Sequence, residues 1–208
     1  MNLRRERPLI YLISDGSVTD QNFVTNLESF LDLVDVAVSS DIPLIQIREK
    51  NLSASKLFDL SIQAAERTEG TRTQILINDR LDVAIASGAY GVHLRSTSVS
   101  PRVLRNFTGS DFVIGASAHS FDEAANAAHH GADFVVVGPV FKTGEKQDPI
   151  GIESLADIVS RLPNIPVLGI GGIDDSNFQN VLDAGAAGFA AIRFLNNVND
   201  LKRLGSKF

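Results

Sequence analysis

The run Gln46-Ile-Arg-Glu-Lys50 places an amide and two cations at every second position. In extended chain alternate residues share a face, so Gln46, Arg48 and Lys50 point one way and Ile47 and Glu49 the other. That combination suits a phosphate or pyrophosphate, Arg binding through its planar fork and Lys as a point charge. A solvated loop with a surface ion pair is the competing reading, but such loops rarely keep three same-face polar residues directly on a buried strand. Asn78-Asp79-Arg80 follows the apolar run Ile75–Ile77, and helix capping stands beside a functional role there, since Asn and Asp both cap well. Ser117 and His119, two residues apart, either face one cavity together or close a capping turn. His93 reads better as a hydrogen-bonded core imidazole, and His129 and His130 as solvated helix residues. The segment Gly138–Gly151 carries Lys142, Thr143 and Lys146; it is either a lid bringing charge over a ligand or a loose surface loop. Finally, Gly171 and Gly172 close an apolar run, Ile165–Ile173, where backbone N–H groups freed of side-chain bulk can face an anion. A phosphorylated small molecule is the expected ligand.

These residues need elements to hold them, and the chain supplies a rhythm. Short apolar runs at Leu9–Ile13, Leu44–Ile47, Ile75–Ile77, Gly91–Leu94, Phe112–Ile114, Asp133–Val137, Val167–Ile170 and Gly188–Ile192 read as buried strands. Between them lie helical segments at Asn22–Ser39, Ser53–Arg67, Leu81–Ser87, from Pro101 onward, Ser120–His130, and near 152–161, 176–183 and 197–205. Pro101 suits a first helical turn after Ser100, and Ser120 with Glu123 three residues on is a capping box. Eight strand–helix pairs, one about every 25 residues, predict an α/β protein: a single-domain (β/α)8 TIM barrel over residues 1–208. The doubly wound open sheet is the runner-up. Phosphate-type turns after strands seven and eight favour the barrel, whose C-terminal strand ends face the active site. The expectation is that Arg48, Lys146 and Gly172 surround a single anionic guest.

Composition sets the outer limits. The 208 residues suit one domain able to bury a full core. Nineteen Lys and Arg against 25 Asp and Glu leave −6, which argues against nucleic acid as a partner. With no cysteine there is neither a disulfide framework nor thiolate chemistry, in keeping with the cytoplasm. No apolar run reaches the roughly 18 residues of a membrane span, and the polar start Met1–Arg7 lacks a signal-peptide core, so no membrane partner is expected. A homo-oligomer is left open.

Taken together, Gln46-Ile-Arg-Glu-Lys50, Ile77-Asn-Asp-Arg80, Gly91-Val-His-Leu94, Ser117-Ala-His119, Gly138-Pro-Val-Phe141 with Thr143 and Lys146, and Gly169-Ile-Gly-Gly-Ile173 resemble the thiamine phosphate synthase / thiazole tautomerase family. The likeness covers nearly the whole chain in motif order, and the family fold is a (β/α)8 barrel. It implies thiamine biosynthesis: a pyrimidine pyrophosphate ionises, and the nitrogen of thiazole phosphate captures the cation. It further implies that Arg48, Lys50 and Lys146 neutralise the leaving pyrophosphate, with Ser117 and His119 beside the chemistry. Gln46 and Asn78 contact the pyrimidine, Thr143 binds substrate, Gly171 and Gly172 seat the thiazole phosphate, and Asp79 holds Mg²⁺. Three positions depart from the synthase pattern. Ser98 stands at the second metal carboxylate, Glu145 replaces a hydroxyl residue, and Arg193 replaces a small serine-type residue and either binds the thiazole phosphate or blocks it. Mg²⁺ held through substrate phosphates manages with one or two carboxylates, so the loss at Ser98 weakens that site without excluding it. The alternatives are a metal-independent thiazole tautomerase with His119 as acid/base, and a non-catalytic ligand-binding paralogue. A sugar-phosphate epimerase fits on fold grounds alone but leaves the Gln46–Lys50 run unexplained.

Overall fold

The computed structural model describes residues 7–144 and 148–208. Among the described residues, strand and helix alternate eight times: β1 (Leu9–Ile13), α1 (Phe23–Ser39), β2 (Leu44–Ile47), α2 (Ala54–Thr68), β3 (Gln74–Asn78), α3 (Leu81–Ala86), β4 (Gly91–Leu94), α4 (Pro101–Arg105), β5 (Val113–Ala118), α5 (Phe121–His129), β6 (Phe134–Val137), α6 (Gly151–Arg161), β7 (Val167–Ile170), α7 (Phe178–Asp183), β8 (Gly188–Ala191) and α8 (Val198–Gly205). The strands hydrogen-bond in sequence order, β1 through β8, into a closed barrel, so the fold is the predicted (β/α)8 barrel. No described helix is long and apolar enough to cross a membrane.

Within the barrel the contacts form two compact units. One takes the described residues up to Ile10 with His93–Ala191; the other takes Tyr11–Val92 with Ile192–Phe208. In the second unit, β1 and β2 pair in parallel with Ile13 opposite Gln46, and β2 pairs with β3 with Gln46 opposite Leu76. Strands β1 and β2 are buried along their whole length, as parallel strands covered on both faces are. Helix α1 buries Phe30, Leu31, Leu33, Val34 and Ala37, and α2 buries Leu57, Leu60 and Ala64, each an apolar stripe at helical spacing. Every such aliphatic side chain removed from water stabilises the fold by about 1.5–3 kcal/mol before entropy is counted.

In the first unit, β5, β6 and β7 pair in parallel, with Ser117 opposite Val136 and Val135 opposite Val167. Strand β5 runs to Ala118, not to Ile114 as the apolar pattern suggests. Its last residues, Gly-Ala-Ser-Ala, are small and only weakly apolar, so their pattern conceals the strand that their ladder to β6 maintains. Helix α5 opens with the predicted cap: Ser120 Oγ accepts from Glu123 N at 3.2 Å, and the Glu123 carboxylate accepts from His119 N at 2.8 Å. Before β5 begins, Arg105 of α4 donates to the carbonyls of Gly131 and Phe112 at 3.0 and 2.7 Å and pairs with Asp133, whose carboxylate also accepts from Ile114 N. This clamp closes the N-terminal ends of β5 and β6, far along each strand from the residues that could do chemistry.

Candidate active site

Among the described residues, most candidates stand at or just past the C-terminal end of their own strand. In the Tyr11–Val92 unit, β2 ends at Ile47, and side chains then take over from the ladder. Ser14, buried after β1, donates its N–H to Gln46 O at 3.0 Å and accepts from Arg48 N through Oγ at 2.8 Å. Gln46 is enclosed, and its interaction with Tyr11 partly offsets the burial that pushes the Tyr11 phenol well above its ordinary pKa. Arg48 is half-buried and Lys50 exposed in the following turn, so strand alternation carries as far as Arg48 and no further.

Glu49, between the two cations, is only 3 % exposed. Its carboxylate accepts from Val18 N at 2.9 Å and from Gly16 N at 3.3 Å. Burial raises its pKa; the hydroxyl of Ser14 and the two backbone N–H groups oppose the rise. Sequence reasoning assigned Glu49 to the far face and gave it no part. The available signal was the Ser14-Asp15-Gly16 turn closing the first strand, where a glycine leaves backbone N–H groups accessible.

Asn78 ends β3, and Asp79 adopts a left-handed backbone, φ 63°. That conformation is uncommon outside glycine, though Asp and Asn tolerate it best, and such residues cluster at functional sites. The residue preceding α3 is Arg80, whose own side chain makes no cap bond. Arg80 forks onto Asp82 at 2.8 and 2.6 Å, which raises the Arg80 pKa and lowers that of Asp82.

In the His93–Ala191 unit, His93 is 3 % exposed and its Nε2 lies 2.9 Å from Ser117 Oγ, the hydrogen-bonded core imidazole expected. The ring packs against Phe134, and a Cβ on Gly115 would fall 2.7 Å from His93 Nδ1 and 2.4 Å from Phe134 Cζ. Only glycine leaves the imidazole room to meet Ser117. His119 follows β5 and is exposed; its Nδ1 lies 2.7 Å from Gly138 O. A carbonyl can only accept, so Nδ1 carries the proton, and in the neutral ring Nε2 is the acceptor. Ser117 thus lies within the ladder, whereas His119 stands beyond it, tied by its N–H to Glu123 and by its ring to Gly138.

The segment after β6 is not a loose flap where it starts. Val140 N donates to Ile170 O at 2.7 Å and Phe141 N to Gly171 O at 3.0 Å, while Ile150 N returns to Pro139 O at 2.8 Å. Thr143 is half-buried and Lys142 exposed; Glu145 and Lys146 lie outside the described residues. Gly171 and Gly172 have φ of 98° and 66°, and a Cβ would meet Pro139 Cβ at 2.5 Å or Lys142 O at 2.8 Å. Their backbone turn exists because both side chains are absent. Asn177 Nδ2 fixes its far side by donating to Gly172 O at 2.9 Å. After β4, Ser98 Oγ accepts from Arg95 N at 3.0 Å while Ser98 N donates to Arg95 O at 3.0 Å, so the hydroxyl helps close a tight turn.

Arg193 follows β8, exposed, between the half-buried Ile192 and the buried pair Phe194 and Leu195. Asn196 anchors that turn, Nδ2 donating to Ile13 O and Ile192 O at 2.8 Å each.

Strand exits bearing cations and hydroxyls, and a side-chain-free glycine turn, lie on a closed (β/α)8 barrel, the class of fold whose enzymes build their active sites, phosphate sites among them, at the C-terminal strand ends. Comparison with known proteins narrows the class. The model of the thiamine monophosphate synthase family matches residues 11–195. A thiamine-phosphate synthase of Clostridium novyi (strain NT) is 37 % identical over 188 residues, covering 89 % of this chain and 91 % of that protein. A putative thiamine-phosphate synthase of Geobacter sulfurreducens is 40 % identical over 165 residues, covering 78 % and 77 %. Among solved structures, thiamine phosphate pyrophosphorylase from Pyrococcus furiosus superposes with a TM-score of 0.81 at 29 % identity over 99 % of this chain and 98 % of that one. The chain belongs to the thiamine monophosphate synthase family.

Proposed function

We propose that this protein is a thiamine-phosphate synthase: it joins hydroxymethylpyrimidine pyrophosphate to thiazole phosphate and releases pyrophosphate. The observation that carries the reading is the Gln46–Arg48–Lys50 run at the exit of β2, an amide and two cations suited to a leaving pyrophosphate, for which a tautomerase reaction has no use. In the reaction, the bond between the pyrimidine methylene carbon and the pyrophosphate oxygen breaks, and its electron pair leaves with pyrophosphate. The thiazole nitrogen lone pair then forms the new carbon–nitrogen bond. Charge grows on the leaving oxygens, so fixed cations aimed there lower the barrier without reorganising.

Arg48 and Lys50 supply those cations, with Lys146 joining them. Gln46 and Asn78 hold the pyrimidine. Ser117, its hydroxyl steered by His93, donates to a pyrophosphate oxygen. Gly171 and Gly172 seat the thiazole phosphate on backbone N–H groups, with Thr143 and Arg193 as further substrate contacts, and His119 stands beside the reacting centre. No group of three or more His, Cys, Asp or Glu side chains is arranged as a metal cage among the described residues. The donor set still fits Mg²⁺, which keeps most of its waters and is usually held by one or two carboxylates plus substrate phosphates. Asp79 offers a hard oxygen donor in a fixed backbone conformation and would hold the ion, which when bound neutralises phosphate oxygens. A cytoplasmic location belongs to the same reading.

The test is one assay of both chemistries, with and without EDTA. Thiamine phosphate and pyrophosphate appearing in equal amounts, lost on chelation, is the expected result. Isomerisation of thiazole carboxylate phosphate that survives EDTA and vanishes in His119→Ala, without synthase turnover, would replace this reading with the tautomerase one.

A further inference from the structure

We infer that Glu49 is a positioning residue for the pyrophosphate end of the substrate, an inference that rests on the synthase reading above. Strand β2 ends at Ile47, so no ladder holds residues 48–50, yet these carry both cations. Two side-chain contacts among the described residues take its place. Arg48 N is fixed to Ser14 Oγ at 2.8 Å. One residue on, the Glu49 carboxylate spans the segment after β1, Oε1 accepting from Gly16 N at 3.3 Å and Oε2 from Val18 N at 2.9 Å.

The segment it grips is itself ordered. Ser17 N donates to Asp15 Oδ1 at 2.9 Å, Thr19 N to Asn22 Oδ1 at 2.7 Å, and Asn22 Nδ2 to Ser17 O at 2.9 Å, while Val18 is 1 % exposed. Glu49 therefore ties the peptide between Arg48 and Lys50 to a rigid platform. Enclosing a carboxylate is costly unless its oxygens are hydrogen-bonded, and here backbone donors meet both. What that cost secures is the origin of two flexible side chains whose charge must fall on a developing pyrophosphate. Glu49 touches no substrate; it acts through the backbone of its neighbours.

The test compares wild type, Glu49→Gln and Glu49→Ala in steady-state synthase kinetics, calorimetric binding of inorganic pyrophosphate, and thermal unfolding. Glu49→Ala should raise KM for the pyrimidine pyrophosphate by about tenfold or more and weaken pyrophosphate binding alike, because small misplacements of binding groups cost that much. KM for thiazole phosphate should stay within about twofold, since that phosphate is seated elsewhere. Glu49→Gln keeps one acceptor oxygen and should fall between the two. Unchanged KM and pyrophosphate affinity in Glu49→Ala, with only a lower melting temperature, would overturn the inference. If Glu49→Ala does not fold, Glu49→Gln decides: affinity equal to or tighter than wild type overturns it, the latter because the carboxylate would then be acting as a repelling charge. A wild type without synthase turnover fails the functional reading alone, and the pyrophosphate titrations still test Glu49.

Discussion

Under the proposed function, the two units would meet their anions by opposite means. In Tyr11–Val92 the anion-binding equipment is side chains: Arg48 and Lys50, on a strand exit held by Ser14 and Glu49. In His93–Ala191 it is missing side chains: Gly171 and Gly172, whose φ of 98° and 66° and close contacts to Pro139 and Lys142 admit nothing larger. Side chains reach far and carry full charge, which suits a leaving group gaining charge during reaction. A bare peptide turn offers fixed dipoles at close range, which suits a phosphate monoester that only needs a seat.

The largest effect that could break this contrast is at Arg48. Arg48→Ala should lower kcat/KM about 100-fold, as loss of a preorganised charge does, with the urea midpoint nearly unchanged; Asp79→Ala should cost tenfold or more. A normal rate in both variants removes the side-chain half of the comparison. Gly172→Ala should behave differently. Forcing a Cβ into a left-handed residue costs about 1–2 kcal/mol, so urea unfolding should show lost stability together with a raised KM for thiazole phosphate. A variant as stable as wild type would mean the turn tolerates a side chain.

Gly115→Ala probes the packing that aims Ser117. Overfilling the space beside His93 and Phe134 should cost about 1–3 kcal/mol in a denaturant titration and lower kcat more than it changes KM. Smaller still is a pH effect at Glu49. Its folded pKa lies above the ordinary glutamate value, so the folded state holds the proton longer and stability falls as pH rises through the carboxylate range. Unfolding midpoints of wild type and Glu49→Gln from acid to neutral pH should show the extra decline in wild type only. Smallest is the exposed Arg80–Asp82 pair: Asp82→Asn should shift stability by under about 1 kcal/mol, because solvent screens such pairs.

The barrel was legible in the sequence because buried parallel strands leave continuous apolar runs between amphipathic helices; β1, β2, β4 and β7 match their predicted limits. Strand β5 escaped by four residues at its C-terminal end, where Gly115, Ala116, Ser117 and Ala118 lack the bulk that marks a strand. The cap of α5 was readable since its partners are three residues apart. The bracing of Arg48 and Lys50 was not, since Ser14 and Val18 meet Arg48 and Glu49 across 34 and 31 residues of chain.

The chemistry available was settled by residue types alone: two cations, an amide, a carboxylate, hydroxyls and paired glycines, spaced so that each falls at a strand exit. Local spacing carries that much because extended chain alternates and helices repeat over a few residues. Which of those groups stand rigid was decided only by folding. Glu49 became a brace, His93 the partner of Ser117, and the start of the segment after β6 a tied edge, because each depends on atoms brought close by packing, which one-dimensional spacing does not encode.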